Sequence, residues 1–120
     1  MDNNDKVIAV DFDGIIVDNK YPQVGSTNFE VVRLLRKLRK NGYYLILNTC
    51  RGDNLLDEAI EHCRGIGLRF DAVNENLPHR IKMYNNDCRK IGADYYIDDK
   101  DICFNYTVML NRLKQLAVNK

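Results

Sequence analysis

The sequence has 120 residues and a formal net charge of +1, with 45% hydrophobic and 29% charged residues. This balance is ordinary for a globular protein, and the near-neutral charge gives no footprint for nucleic acid or for an anionic membrane. No apolar run approaches the roughly 20 residues of a membrane span. We therefore predict a single domain over residues 1–120, in which the polar residues 1–5 are frayed and form no signal peptide.

Cysteine usage argues against a zinc site, because no C-x-x-C pair and no partnering histidine spacing is present. We predict buried, reduced thiols, and from them a cytoplasmic protein. The four cysteines are Cys50, Cys63, Cys88 and Cys103.

The first informative stretch is an apolar run at 7–10 that leads directly into Asp-Phe-Asp-Gly at 11–14. Such a run is typical of a strand buried on both faces in a parallel sheet. Asp11 and Asp13 are two residues apart, so their side chains point the same way while the backbone stays extended. An Asp-Gly turn without further function is the simpler interpretation. A second acidic pair, at 98–99 after another apolar run, favours a metal-assisted phosphate site instead.

The rest of the chain alternates between helical and extended patterns. Residues 15–26 alternate loosely and predict a loop or short hairpin above the end of the first strand. A capping-box pattern from Thr27 to Glu30 precedes a helix whose apolar residues, Phe29 among them, recur at helical spacing until an Asn-Gly pair ends it. Beyond it we predict strands at 43–48, 70–74 and 95–97, a helix from about residue 53, a partly helical segment at 77–91 and a last helix near the C-terminus.

Strands that alternate with helices pair in parallel through right-handed crossovers. We therefore predict an α/β fold with a doubly wound, mainly parallel Rossmann-like sheet and helices on both faces. The carboxyl ends of parallel strands lie at one edge of the sheet. The sequence thus predicts that four polar side chains meet there in one crevice, namely Asp11, Asp13, Thr49 and Asp98.

Carboxylates gathered at such an edge suit phosphoryl transfer. One carboxylate can attack phosphorus and form an acyl phosphate, and Mg²⁺ with oxygen ligands neutralises the charge between nucleophile and substrate. A second carboxylate can protonate the leaving oxygen and later take a proton from water, which is typically worth ~10²–10⁴ in rate. A hydroxyl, the N–H groups at the start of the next helix and a lysine would hold the phosphate oxygens.

These residues resemble the haloacid dehalogenase (HAD) superfamily of phosphohydrolases from residue 6 to about residue 104. Residues 11–15 match its first motif, Asp-x-Asp-Gly-Thr. Residues 45–49 match the second, an apolar strand ending in Ser or Thr, and residues 96–99 match the fourth, an apolar strand ending in paired acids. The strand-terminal Ile-Asp-Asp-Lys is similar to the small bacterial phosphatase-like branch without a cap domain, and the gaps between the motifs are too short to hold a cap.

The resemblance implies a role for each acidic residue at the strand ends. Asp11 would be the nucleophile and a Mg²⁺ ligand. Asp13 would be the general acid/base and would also offer the metal its backbone carbonyl. Asp98 and Asp99 would complete the metal site.

The resemblance also implies a phosphate-binding set of Thr49, Cys50 and a lysine. Lys90, eight residues before Asp98, is preferred over Lys82, sixteen residues before it. An ordinary exposed lysine is the alternative for either position.

One residue departs from the first motif, since Ile15 stands where the family usually has Thr or Ser. The missing hydroxyl braces the motif turn, so its loss could lower activity. A catalytically weak or inactive HAD-like domain that binds metal or phosphate is therefore the alternative function. A receiver-like signalling domain is a further alternative, opposed by the lack of an aspartate after the third strand. The expected partner is a small phosphorylated substrate, with no nucleic acid and no membrane, and a homo-oligomer stays open.

Overall fold

The computed structural model describes residues 6–118, which form six strands and four helices in a mixed α/β fold. In chain order these are β1 (Val7–Val10), β2 (Val17–Lys20), β3 (Gln23–Thr27), α1 (Phe29–Lys40), β4 (Tyr44–Leu47), α2 (Asp53–Gly65), β5 (Ala72–Val73), α3 (Pro78–Tyr84), β6 (Tyr95–Ile97) and α4 (Tyr106–Val118). None of the helices between residues 6 and 118 combines the length and the hydrophobicity that a membrane-spanning helix needs.

Four of the strands form one parallel sheet in the order β5-β4-β1-β6. β1 lies between β4 and β6, and its last residue, Val10, pairs with Leu47 on one side and with Ile97 on the other. All residues of β1 are buried, as expected for a short apolar strand at the centre of a parallel sheet. The predicted parallel pairing is confirmed. β6 has its predicted bounds, whereas β4 and β5 are shorter than predicted.

Neighbouring residues of β1 pack into different apolar clusters. Ile8 and Val10 belong to the main hydrophobic core, to which α1, α2 and α4 contribute. Val7 belongs to a smaller cluster with Ile46 of β4 and Leu77, the residue that precedes α3. This division follows from the strand geometry, because successive side chains of a strand point in opposite directions.

The segment between β1 and α1 is a hairpin, which decides between the two structures predicted for residues 15–26. Its strands β2 and β3 pair antiparallel, with Lys20 opposite Gln23. Tyr21 and Pro22, joined by a cis peptide bond, connect them.

The start of α1 differs from the prediction. Asn28 is the N-cap, and within residues 6–118 its side chain makes no capping hydrogen bond. The Thr27 hydroxyl is hydrogen bonded to His62 Nε2 at 2.7 Å instead. The capping-box prediction is wrong because Thr27 is the last residue of β3. Phe29, expected on the inward face, is 68% exposed.

All four cysteines are free thiols, as predicted, but only Cys63 is buried. Burial raises the pKa of Cys63 to about 12, so this thiol is inert at neutral pH. The prediction of burial is wrong for the other three, because each lies in a connecting segment outside the sheet and the helices. These exposed residues are Cys50, Cys88 and Cys103.

Candidate active site

The carboxyl ends of β1, β4 and β6 open into one cleft of about 560 Å³. Asp11 and Asp13 follow β1, Thr49 follows β4 and Asp98 follows β6, and all four residues line the cleft. They meet because the three strands are adjacent and parallel, so that their ends lie at the same edge of the sheet. The predicted convergence of these residues is therefore confirmed.

Three carboxylates in this cleft lie close enough to share one cation. Asp11, Asp98 and Asp99 each place a carboxylate oxygen within 4.8 Å of the other two. Burial, the charge of Asp98 and a hydrogen bond with Asp99 raise the pKa of Asp11 to about 8, although the Phe12 N–H donates to its Oδ1 at 2.9 Å. Without a cation, the cluster therefore retains a proton at neutral pH.

Gly14 allows Asp99 to reach this cluster. Its φ of +94° lies in the region that favours glycine, and a Cβ built on it would overlap Asp99 Oδ2. The second oxygen, Asp99 Oδ1, is buried and finds no hydrogen-bond partner within residues 6–118. A buried carboxylate oxygen without a donor is costly unless a cation or a proton satisfies it.

The cluster fits the predicted Mg²⁺. Its donors are all oxygens, which hard divalent cations prefer, and Mg²⁺ is usually held by one or two carboxylates together with water and substrate oxygens. The carboxylate of Asp13 is not part of the group formed by Asp11, Asp98 and Asp99. The expected metal contact of Asp13 through its backbone carbonyl stays a prediction.

Arg51, a site residue that no sequence motif predicted, holds Asp13. Its Nε and Nη2 donate to the two carboxylate oxygens of Asp13, each at 2.8 Å, and the two side chains are 1% and 14% exposed. Nη2 also donates to the Gln23 carbonyl at 2.9 Å, and Nη1 to the Leu55 carbonyl at 3.3 Å. The guanidinium thus ties Asp13 to the hairpin and to α2. The sequence feature that could have indicated this role is an arginine two residues after Thr49, close to the predicted site.

Thr49 and Cys50 lie where phosphate binding was predicted. The Thr49 hydroxyl oxygen accepts a hydrogen bond from the backbone N–H of Arg51 at 3.1 Å, so the hydroxyl hydrogen remains available for a phosphate oxygen. The backbone N–H of Thr49 donates a hydrogen bond to Asn74 Oδ1 at 2.8 Å. Cys50 is exposed and lines the cleft beside it. The structure brings both residues to the cleft, and their contact with phosphate stays a prediction.

Neither lysine named in the sequence analysis lines the cleft. The ammonium of Lys90 lies 5.2 Å from the centre of the Tyr96 ring, and Lys82 is an exposed residue in the last turn of α3. Lys100, directly after the acidic pair at 98–99, does line the cleft. The preference for Lys90 is therefore corrected, because the chain that enters β6 lies at the opposite end of the strand from its carboxyl terminus.

Ile15 is a residue of the hydrophobic core, with 0% exposure. A threonine at this position would bury its hydroxyl among apolar side chains, which is unfavourable without a partner. Ile15 does not line the cleft. The missing motif hydroxyl is therefore a feature of core packing in this chain, and by itself no evidence of a degenerate site.

In the absence of metal, the Asp11 proton is expected to make the folded protein lose stability as the pH rises from about 3.8 to about 8. The pKa of Asp11 is about 8 in the folded protein, against an ordinary value of 3.8 for an aspartate that is not shifted by its surroundings. Over this window the folded chain holds a proton that the unfolded chain has released, so the free energy of unfolding falls as pH rises. Thermal midpoints in excess chelator would measure the fall, and Asp11→Asn or excess Mg²⁺ should flatten it. A level midpoint in chelator would contradict the clustering of the three carboxylates.

The comparisons with known proteins reveal a similarity that covers sequence and fold together. No protein-family model matches the chain, and no curated protein matches it significantly. The chain is similar to a solved structure, that of a conserved protein coded by a locus from Bacteroides thetaiotaomicron. The two are 38% identical over 91% of this chain and 89% of that chain, with a TM-score of 0.76.

Proposed function

The chain belongs to the same family as this conserved protein of Bacteroides thetaiotaomicron, and we propose that it is a Mg²⁺-dependent phosphomonoester hydrolase that works through an aspartyl phosphate. The observation that carries the proposal is the group of Asp11, Asp98 and Asp99, with oxygens within 4.8 Å of one another, in the cleft that Thr49 also lines. Three carboxylates beside a hydroxyl donor suit a cation and a phosphate bound side by side.

The same proposal places the domain in the HAD superfamily, in a doubly wound form without a cap. In support, the motif segments 11–15, 45–49 and 96–99 occupy the ends of β1, β4 and β6, which are neighbours in the sheet. The cluster near α3 is separate from the core shared by α1, α2 and α4, as helices on both faces would require. Within residues 6–118, single helices or the hairpin connect the strands, with no further domain between them. The exposed free thiols favour a reducing, cytoplasmic location.

Asp11 is the proposed nucleophile. One of its carboxylate oxygens bonds to phosphorus while the bond from phosphorus to the leaving oxygen breaks, which leaves an acyl phosphate on Asp11. The raised pKa of Asp11 in the metal-free protein opposes this step, because only the ionised carboxylate attacks. Bound Mg²⁺, held by Asp98 and Asp99 beside Asp11, would supply the positive charge that favours the ionised form and neutralises the phosphate.

Asp13 is the proposed general acid and base. It protonates the leaving oxygen in the first half-reaction. In the second, it takes a proton from a water that attacks phosphorus, the bond from phosphorus to the Asp11 oxygen breaks, and inorganic phosphate leaves. Both of its oxygens accept a hydrogen bond from Arg51, and each keeps a second lone pair that can take the proton, at the cost of the charge interaction with Arg51. The contacts of Arg51 with Gln23 and Leu55 hold the guanidinium close by during this exchange.

The same ion pair favours a second candidate function, a domain that binds metal and phosphate without turnover. If Asp13 remains a carboxylate paired with Arg51, it has no proton to give to the leaving oxygen. Asp11, Asp98, Asp99 and Thr49 would still bind the cation and the phosphate. The two functions predict equal Mg²⁺ binding and differ only in hydrolysis.

Lys100 is the lysine proposed to pair with the substrate phosphate. Lys100→Ala is expected to raise KM about tenfold, because a charged hydrogen bond to phosphate is lost. Lys90→Ala is the matched control and should change KM little, since its ammonium contacts the Tyr96 ring outside the cleft. Steady-state kinetics of both variants would show which lysine binds phosphate. A larger rise in KM for Lys90→Ala would assign that role to Lys90 instead.

The proposed function is tested by the metal dependence of hydrolysis. A panel of phosphomonoesters should be hydrolysed with Mg²⁺ and not in excess chelator, and Mg²⁺ should raise the thermal midpoint by mass action. Gly14→Ala should lose the midpoint shift, because the added methyl group displaces Asp99. Gly65→Ala adds the same group into open space and should keep the shift. Full activity in chelator would exclude the metal-assisted mechanism, and Mg²⁺ binding without hydrolysis of any ester would favour the second candidate.

A further inference from the structure

One aromatic ring in the cleft has no part in the steps above. Tyr21, at the tip of the β2–β3 hairpin, lines the same cleft as Asp11 and Thr49, and it is 55% exposed. Phe29 and Tyr84 are also exposed but do not line the cleft. An exposed aromatic ring beside a phosphate site is a surface that a ligand can cover.

The ring of Tyr21 is held by Arg51. The guanidinium carbon lies 5.3 Å from the ring centre, within the range of a cation–π contact. The same guanidinium is fixed by Asp13 and by the Gln23 carbonyl. A buried ionic group therefore sets the position of the ring relative to the candidate catalytic carboxylates. A side chain already held in this way loses little further freedom when a ligand packs on it.

A polar group accompanies this ring in the cleft. The side-chain oxygen of Asn19, which also lines the cleft, accepts the Tyr21 N–H at 3.3 Å. This leaves the NH₂ group of Asn19, without a partner within residues 6–118, to donate to a ligand. An aromatic face with an adjacent amide donor suits a planar ring that carries polar edge atoms.

We propose that Tyr21 is a specificity-determining residue that stacks on a planar ring in the leaving group of the substrate. The substrates are then phosphomonoesters whose leaving group carries an aryl ring or a nucleobase. The inference rests on the proposed function, since it takes the substrate phosphate to lie at Asp11. The cleft of about 560 Å³ is of the size that holds ligands of this kind.

Two pairs of substrates isolate the planar ring from leaving-group chemistry. Adenosine 5′-monophosphate and ribose 5-phosphate both release a primary sugar hydroxyl, and 2-phenylethyl and 2-cyclohexylethyl phosphate both release a primary alcohol. In each pair only one member has a planar ring. We expect kcat/KM to be about tenfold higher for that member, the factor typical of stacking on one aromatic side chain. Discrimination in the first pair alone would identify a nucleobase, and discrimination in both would identify any aromatic ring.

Variants of Tyr21 then assign the preference. Tyr21→Phe keeps the ring and should keep the ratio within each pair, whereas Tyr21→Ala and Tyr21→Leu should bring the ratio close to one. The leucine variant retains apolar bulk, which separates stacking from simple burial. Tyr84→Ala removes an exposed tyrosine outside the cleft and should leave both activity and ratio unchanged.

A binding measurement keeps this inference separate from the question of turnover. In Asp11→Asn with excess Mg²⁺, calorimetry should give a Kd about tenfold lower for adenosine 5′-monophosphate than for ribose 5-phosphate, and adding Tyr21→Ala should remove the difference. Equal Kd values, or a difference that survives Tyr21→Ala, would overturn the inference. Unequal Kd values with no hydrolysis by the wild-type protein would support it and sink only the proposed hydrolase function.

Discussion

Asp11→Asn is expected to lower turnover by about 10⁴-fold or more, the scale seen when an enzyme loses its nucleophile. A neutral amide is a poor nucleophile, and the variant also removes one of the three carboxylates that lie within 4.8 Å of one another. Mass spectrometry of the acid-quenched wild-type protein should detect phosphate on Asp11, and the variant should carry none. The two measurements together test whether the chemistry is covalent.

Two controls separate the nucleophile from the metal site. Asp98→Asn should weaken Mg²⁺ binding but keep the nucleophile, so that excess Mg²⁺ restores part of its turnover. Asp57→Asn changes an exposed acid on α2 and should behave like the wild-type protein. If Asp11→Asn turns over at the wild-type rate, the nucleophile lies elsewhere and the central proposal fails.

Arg51→Met is expected to destabilise the protein by about 3 kcal/mol, because it leaves the carboxylate of Asp13 without its partner. The Arg51 side chain is 1% exposed and that of Asp13 is 14% exposed, so water can compensate only in part. The variant also leaves the Gln23 carbonyl without its hydrogen bond from Arg51, and this bond holds the hairpin over the cleft. Urea denaturation would measure the loss as a lower transition midpoint at an unchanged slope.

A second substitution tests whether the unpaired carboxylate of Asp13 causes the loss of stability in Arg51→Met. The double variant Asp13→Asn with Arg51→Met buries no unpaired carboxylate, and it should be more stable than Arg51→Met alone. Arg33→Met is the matched control, because Arg33 pairs with Glu30 at 3.8 Å on the surface and should contribute no more than about 1 kcal/mol. Equal losses from Arg51→Met and Arg33→Met would show that the buried pair contributes little.

The sequence by itself determined the parallel sheet and the meeting of its polar strand ends. Three local patterns predict the strands: the apolar runs that precede Asp11, Thr49 and Asp98. Each run predicts its strand to within a few residues. Their alternation with helices imposes parallel pairing, and parallel pairing brings the three ends to one edge. The meeting of Asp11, Thr49 and Asp98 in one cleft follows from this pairing alone, whereas the approach of Asp99 also depends on the turn at Gly14.

Only the tertiary structure decided which side chains complete the site. Arg51 reaches Asp13 across a separation of 38 residues, and it is Lys100, not Lys90, that lines the cleft. Tyr21 enters the cleft because the hairpin folds over the strand ends. Such contacts depend on the path of the connecting segments and on side-chain direction, and hydrophobic periodicity encodes neither. Periodicity is set by burial within one element, whereas these contacts are set by where separate elements come together.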